Sequence, residues 1–484
     1  MAGVVRVATG DVNRRGTAPH QASGGHRSSP ALLLVAVVLS GCTSVPLTGG
    51  SVAHPASAPP SALAATPQVA ASTAATTAAS TSPPAPEWSV ARTPAMTGSV
   101  SAPPVAIAAG PHAAVVVGER ASLAPDRVFI DPPALQHSIA TAFRSDDLVH
   151  WTPAVIDEGI RLGSEIPLSG PLVGMTAVAA GAGGFVATGI DLTPSVTGIA
   201  WHSTDGARWT RVELPGVATA RPSAIAWNGS RYVVVGIDEA PVAPRMAVWT
   251  SPDGRTWRRI PDAPVFDVGG YLDTLEYHAW AGPTDVTASS DGALVAVGRT
   301  CTAGRMWEGT ISCSAVVWRS PDGVHWDRMT QPGTLRGPIF AGAALGSRAV
   351  LVGASADRVG NIGGGQAVLA PADAASTERW RVIAIPEAPQ LVDVAVLDGM
   401  LYAVGYEIQG WDVDSAADMV SLWRSADGTR WSRVEDLPAA PADVSGVRSA
   451  ALSVAGHRLL VLVSVILDGA PGFVGIVLSR DFGP

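Results

Sequence analysis

An all-β chain, folded as a seven-bladed β-propeller of four-stranded blades, is what this sequence predicts, and three observations predict it. A polar turn ending on tryptophan recurs as STDGARW (203–209), SPDGRTW (251–257), SPDGVHW (320–326) and SADGTRW (425–431). A short apolar run recurs seven times: AAVVVGE (113–119), GFVATGI (184–190), RYVVVGI (231–237), ALVAVGR (293–299), AVLVGA (349–354), LYAVGY (401–406) and RLLVLVSV (458–465). The last repeat is split between the two ends of the chain. VLSRDFGP (477–484) stops after a third strand and its turn, and EWSVARTP (87–94) matches fourth strands such as WTRVELP (209–215) and WSRVEDLP (431–438). Repeats at a fixed period of this size signal propellers, and a ring closed by its own termini leaves no open sheet edge. Two stacked sheets could use the same strands but would not split a repeat.

Each element follows from local chemistry. In the third unit, SAIAWNG (223–229), RYVVVGI (231–237) and MAVWTSPDGRTWRRIP (246–261) read as strand, turn, strand, loop, strand, tight turn, strand. β-Branched content and alternation favour strands, and glycine punctuates the turns. Within the tight turn, Pro252 pre-sets φ at the first corner, Asp253 can accept backbone N–H groups, and Gly254 can take the left-handed conformation. Ser251 can tie the turn to its own backbone, and Trp257 is expected to turn inward. These needs are local, so Asp205, Asp253, Asp322, Asp427 and Asp481 are expected to be structural acids, not ligand sites. Six tryptophans close the units (Trp151, Trp209, Trp257, Trp326, Trp380 and Trp431), and Trp88 supplies the seventh. Two copies are degenerate: SDDLVHW (145–151) lacks the glycine and ADAASTERW (372–380) lacks the serine.

The repeats resemble the Asp-box, or BNR, repeats of sialidases and related propellers, whose pattern is Ser-x-Asp-x-Gly-x-Thr-Trp. The resemblance covers roughly residues 87–484. Most copies are one residue shorter, because glycine follows aspartate directly, while Ser479-Arg480-Asp481-Phe482-Gly483 keeps the family spacing. The resemblance implies the propeller fold. For a sialidase it further implies an arginine cluster for the substrate carboxylate, a Tyr–Glu nucleophilic pair and an acidic proton shuttle. Tyr271 or Tyr277 with Glu276 could imitate the pair, and Arg299, Arg305 and Arg358 could serve as clamps. The family's Phe/Tyr-Arg-Ile-Pro signature is absent; Arg259-Ile260-Pro261 matches only its tail, at a repeat position where Arg433-Val434 also falls. GxSxG, HExxH, P-loop and dinucleotide fingerprints are absent too.

The rest of the chain sets the location. Arginines precede the apolar run ALLLVAVVL (31–39), too short to span a bilayer and of signal-peptide size. Leu39-Ser40-Gly41-Cys42 follows and resembles a bacterial lipobox, which implies cleavage before Cys42 and lipidation of its thiol. Residues 1–41 are therefore expected to be a signal peptide with lipobox. Residues 42–86 would be the lipidated cysteine and a disordered Ala/Ser/Thr/Pro tether, reaching roughly 40 Å. Residues 87–484 would be the propeller. With hydrophobic residues at 47% and charged residues at 15%, the bulk is globular.

The formal net charge is −9, and removing residues 1–41, with four arginines against one aspartate, leaves −12. Such a surface repels phosphate backbones and excludes nucleic-acid partners. Beyond Cys42 the only cysteines are Cys301 and Cys313. In an exported chain they read as a disulfide across one loop, with two buried thiols as the alternative.

Hairpins between first and second strands, and between third and fourth, must share one face of the ring. The long segments 120–140, 155–174, 261–284, 300–314, 355–366 and 407–420 share the other, where binding groups usually sit. Of 15 tryptophans, only Trp280, Trp307 and Trp411 fall on these segments; exposed aromatics there suit stacking on sugars or anchoring a protein. Asp412, Asp414 and Asp418 beside Trp411 invite a calcium reading, but the glycine and closing glutamate of an EF-hand loop are missing, so no metal and no cofactor is expected. The expected function is non-catalytic binding of a protein or glycan of the cell envelope by a lipid-anchored, extracytoplasmic propeller. The alternatives are a sialidase-like glycoside hydrolase and an envelope assembly scaffold.

Overall fold

Seven recurring apolar runs need seven sheets to bury them, and the computed structural model has seven sheets, antiparallel within each four-stranded blade. It describes residues 87–483 apart from 98–103, 124–134, 158–172, 192–196, 217–218, 239–243, 269–281, 304–310, 334–336, 357–361, 373–377, 407–419 and 469–471. Blade 1 comprises Pro104–Ala109, Ala114–Leu123, Leu135–Ser145 and Thr152–Pro153, from first strand to fourth. Blade 2 comprises Val173–Gly181, Gly184–Asp191, Thr197–Ser203 and Arg208–Glu213. Blade 3 follows with Ala220–Trp227, Tyr232–Asp238, Arg245–Ser251 and Arg258–Arg259. Blade 4 has Gly282–Ala288, Leu294–Ala303, Ile311–Ser320 and Asp327–Thr330; blade 5 has Ile339–Leu345, Arg348–Ala356, Ile362–Leu369 and Arg381–Ile385. Blade 6 has Gln390–Leu397, Met400–Tyr406, Ser421–Ser425 and Ser432–Arg433.

Blade 7 is built from both ends of the chain. Val444–Ala455, Arg458–Leu467 and Gly472–Asp481 come from the C-terminus, and Ser89–Arg92 from the N-terminus is the fourth strand. Ser89 pairs with Ser479 and Arg92 with Ile476, antiparallel. The first strands of neighbouring blades touch all the way round, blade 7 against blade 1 included, so they wall the central channel. Trp88 meets Phe482 edge-on at 6.4 Å, and Arg480 lies over both rings at 5.7 and 5.2 Å. The split repeat is thus the closure of the ring.

Seven buried clusters hold the blades together, one between each neighbouring pair. A second strand lies between two such clusters: Val115 packs toward blade 2 and Val116 toward blade 7. Burial on both faces explains why these strands read as unbroken apolar runs where a half-exposed strand would alternate. The glycine ending the run also has a cause. The first strand bulges beside it, so that a Cβ on Gly236 would lie 2.1 Å from the Arg221 carbonyl oxygen; Gly189, Gly298, Gly353 and Gly405 meet the same obstacle.

The segments 120–140, 300–314 and 355–366, expected as loops, are partly strand. Pairing in blade 4 continues as far as Ala303 opposite Ile311. Sequences such as Arg120-Ala121-Ser122 alternate in polarity and suit a ribbon wetted on one side. Two short strands were not foreseen: Met96–Thr97 pairs antiparallel with Gly472–Asp481, and Val155–Asp157 pairs parallel to the fourth strand of blade 2 and covers that sheet's edge.

Candidate functional site

On the hairpin face the repeated turn is closed by its own side chains. Asp253 Oδ1 accepts the N–H groups of Arg255 (2.9 Å) and Thr256 (2.7 Å), and Ser251 Oγ accepts the Gly254 N–H (2.8 Å) while donating to Asp253 Oδ1 (3.0 Å). Gly254 sits at φ 73°. The Trp257 indole donates to the Gly254 carbonyl (3.1 Å). Asp205, Asp322 and Asp427 make the same pair of backbone contacts, and Trp209, Trp326 and Trp431 donate to the carbonyls of Gly206, Gly323 and Gly428. Asp481, in the last turn, accepts the Gly483 N–H (2.9 Å) and pairs with Arg458. The N–H donated by Thr256, with that of Arg255, pulls Asp253 down to about 2 against its slight burial. In the degenerate SDDLVHW turn, Asp147 accepts from Val149 (2.9 Å) and His150 (2.8 Å), and Leu148 takes the glycine's place at φ 65°.

On the loop face, the residue after the run-ending glycine of the second strand is Glu119 in blade 1, Arg299 in blade 4 and Tyr406 in blade 6. The Glu119 carboxyl is raised by burial, opposed by a hydrogen bond from Ser138. Burial lowers Arg299 to about 10. Tyr406 donates its hydroxyl to the Arg448 carbonyl in blade 7 (3.0 Å), and burial raises it. A cleft of about 400 Å³ opens between blades 2 and 3 beside Glu213 and Trp249, whose indole is already bonded to the Pro215 carbonyl (2.8 Å).

The channel wall carries few charges. The seven first strands hold four charged residues, Arg221 and Arg448 toward the loop face and Asp285 and Asp393 deeper in the wall. Both aspartates accept two backbone N–H groups and both are raised by burial.

Of the residues singled out from sequence for ligand binding, the structure describes Arg299. Trp280, Trp307, Trp411, Tyr277, Arg305, Arg358, Asp412 and Asp414 lie outside the described residues, as do Tyr271, Glu276, Asp418 and the lipobox Cys42. Cys301 and Cys313 are described as backbone and stand directly opposite each other on paired strands. Glu119, Tyr406, Asp285 and Asp393 were missed. The signal for the first two was a polar residue directly after the run's glycine. Among the described residues, no tyrosine–glutamate pair forms: Glu119 bonds within blade 1 and Tyr406 bonds backbone of blade 7.

No protein-family model matches the chain, and no curated protein matches it. Solved structures do. The polysaccharide lyase Uly1 is similar over 78% of this chain and 90% of its own, at 9% identity and TM-score 0.46. The Trypanosoma rangeli sialidase in complex with sialic acid is similar over 80% of this chain and 55% of its own, at 12% identity and TM-score 0.40. The phage phi92 endosialidase is similar over 82% and 70%, at 8% identity and TM-score 0.42. At these values none of them carries a residue or an activity to this chain.

Proposed function

We propose that this chain is a lipid-anchored, extracytoplasmic propeller that binds a protein or glycan of the cell envelope through its long-loop face, without catalysis. The observation that carries the reading is where the chain enters the ring. Ser89 pairs with Ser479 and Trp88 packs on Phe482, so Glu87 stands at the hairpin face. A tether of residues 42–86 ending in a lipidated Cys42 therefore leaves from that side and leaves the loop face open to a partner. The commitment of the hairpin-face acids to their own turns supports the same division of labour. On this reading Cys301 and Cys313 are oxidised. Opposite residues of an antiparallel pair have Cα atoms about 4.5–5.5 Å apart, within the span a disulfide accepts.

The test has two arms. Metabolic palmitate labelling of the wild type and Cys42→Ala reads the anchor: label that persists in Cys42→Ala rejects it. Glycan-array binding and envelope crosslinking of the chain with Trp280, Trp307 and Trp411 changed to alanine read the face. Loss of the captured glycan or protein, with an unchanged melting temperature, supports the proposal. Capture that survives these changes but disappears in Asp253→Ala overturns it. Stoichiometric capture of one envelope protein, with no glycan bound, selects the scaffold alternative. Hydrolysis of a fluorogenic sialoside would replace binding by catalysis.

A further inference from the structure

In blades 1 to 6 the first strand carries a bulge, and the residue just after it is Ala106, Ala177, Ala224, Asp285, Ala341 and Asp393 in turn. Four blades have alanine where two have aspartate. Both aspartates make the same contacts. Asp285 Oδ1 accepts the N–H of Val286 (2.8 Å), and its Oδ2 accepts that of Gly342 in blade 5 (3.0 Å). Asp393 Oδ1 accepts the N–H of Val394 (2.7 Å), and its Oδ2 accepts that of Leu452 in blade 7 (2.7 Å). First-strand N–H groups on the channel side have no sheet neighbour and need such a partner. Close approach is built in at Gly342, where a Cβ would lie 2.5 Å from Val297 of blade 4.

We propose that Asp285 and Asp393 form a proton-sensitive lock in the channel wall, fastening blade 4 to blade 5 and blade 6 to blade 7, which loosens when both carboxyls ionise. The N–H groups favour ionised carboxyls, but two carboxylates half-buried in one wall repel each other, so the pair holds best while it keeps a proton. Burial, and then the charge of Asp285, push Asp393 up to about 7; burial raises Asp285 as well.

Other charges do not reverse this. On the first strands of blades 4 to 7 the only further charge is Arg448, which acts on Tyr406. Arg221 stands on the first strand of blade 3, next to blade 4, but toward the loop face, and it is not among the groups that shift either aspartate. The second strands behind the pair carry Arg299 and Cys301 in blade 4, Arg348 in blade 5, Tyr402 and Tyr406 in blade 6, and Arg458 in blade 7. Arg348 is paired with Glu378 and Arg458 with Asp481. Among these groups, Asp285 is the charge that acts on Asp393.

An unfolded aspartate titrates near 4, so between about pH 4 and pH 7 the native chain binds more protons than the unfolded one. Stability is then fullest below that window and is lost as pH rises through it. Urea unfolding of the full chain, followed across this window, should show an unfolding constant rising about tenfold per pH unit for each extra proton held by the native state. Asp285→Asn and Asp393→Asn should each flatten that rise. His202, lowered by burial, His457, raised by its hydrogen bond to Asp398, and Glu119, raised by burial, are common to all three chains and cancel in the comparison. Hydrogen exchange should quicken with the second ionisation, beyond its intrinsic pH dependence, in peptides carrying Gly342 and Leu452 but not in blades 1 to 3. Equal pH slopes in wild type and both variants overturn the proposal. If neither variant folds, infrared spectra of Glu119→Gln, which removes the other carboxyl raised by burial, decide: a protonated-carboxyl band present in that native chain at about pH 6 and lost on unfolding supports the lock, and its absence overturns it.

Discussion

On the hairpin face, Asp205, Asp253, Asp322 and Asp427 each accept two backbone N–H groups of their own turn, and a tryptophan four residues on seals it. In the channel wall, Asp285 and Asp393 also accept two N–H groups, but one of each pair comes from the next blade. The first group is wet and local; the second is half-buried and bridges blades. The same residue type therefore shifts in opposite directions, down in the turns and up in the channel. Repetition marks the turn acids as parts of the fold, while the channel acids stand out by departing from a position that is alanine in blades 1, 2, 3 and 5.

The hardest blow to the hairpin face is to its tryptophans. Trp209 is fully buried between blades 1 and 2 and holds the Gly206 carbonyl at 3.0 Å. Trp209→Ala should cost about 3–5 kcal/mol, read as a shift in the urea midpoint at unchanged slope. A loss below about 1 kcal/mol would mean that the indole fills space without fastening blades. Next in size is the loop-face counterpart. If Cys301 and Cys313 are joined, changing both to serine should cost roughly 3 kcal/mol in the chain-entropy model. Thiol titration of the denatured, unreduced chain should then find neither cysteine free.

Asp253→Ala should cost about 1–2 kcal/mol, the usual loss for a side-chain cap on backbone N–H groups. Its pH dependence sharpens the comparison. The folded carboxyl lies near 2, below its unfolded value, so its contribution is complete above about pH 4 and is lost as pH falls toward 2. Turn acids thus govern the acid limb of the stability curve and the channel pair the limb above it. Asp253→Ala should flatten the first and leave the second, as followed by thermal melts across both limbs. Flattening of both limbs by this one change would show that the two sets of acids are not separate.

The ring and its closure were legible because every blade repeats the same demands: a second strand buried on both faces, a glycine beside a bulge, a turn sealed by tryptophan. Even the split repeat could be read, since Trp88 and Asp481 are halves of one phrase. The channel pair could not. Thr284-Asp285-Val286 and Val392-Asp393-Val394 belong to no motif, and they become equivalent only once the bulges set their register. Glu119 and Tyr406 hid for a related reason, since each is a single departure at the end of a repeated run. Val155–Asp157 was missed because a parallel edge strand of three residues has too little pattern to announce itself.

The smallest effect separates backbone strain from packing within the turn. Leu148 holds at φ 65° the place that Gly254 holds at φ 73°. A left-handed L-residue costs roughly 1–2 kcal/mol, so Leu148→Gly would relieve that strain. Glycine also loses more freedom on folding, about 0.5–1 kcal/mol, and Leu148 packs partly against the cluster between blades 7 and 1. The three terms nearly cancel, and Leu148→Gly should shift stability by less than about 1 kcal/mol. The reverse exchange has no such balance. A Cβ on Gly254 would stand 2.4 Å from Val186 and 2.9 Å from His202, at a φ that already penalises it. Gly254→Ala should therefore lower the urea midpoint clearly while Leu148→Gly barely moves it. Equal shifts would mean that the glycine is chosen for conformation alone, and that the packing of the turn on the neighbouring blade contributes nothing.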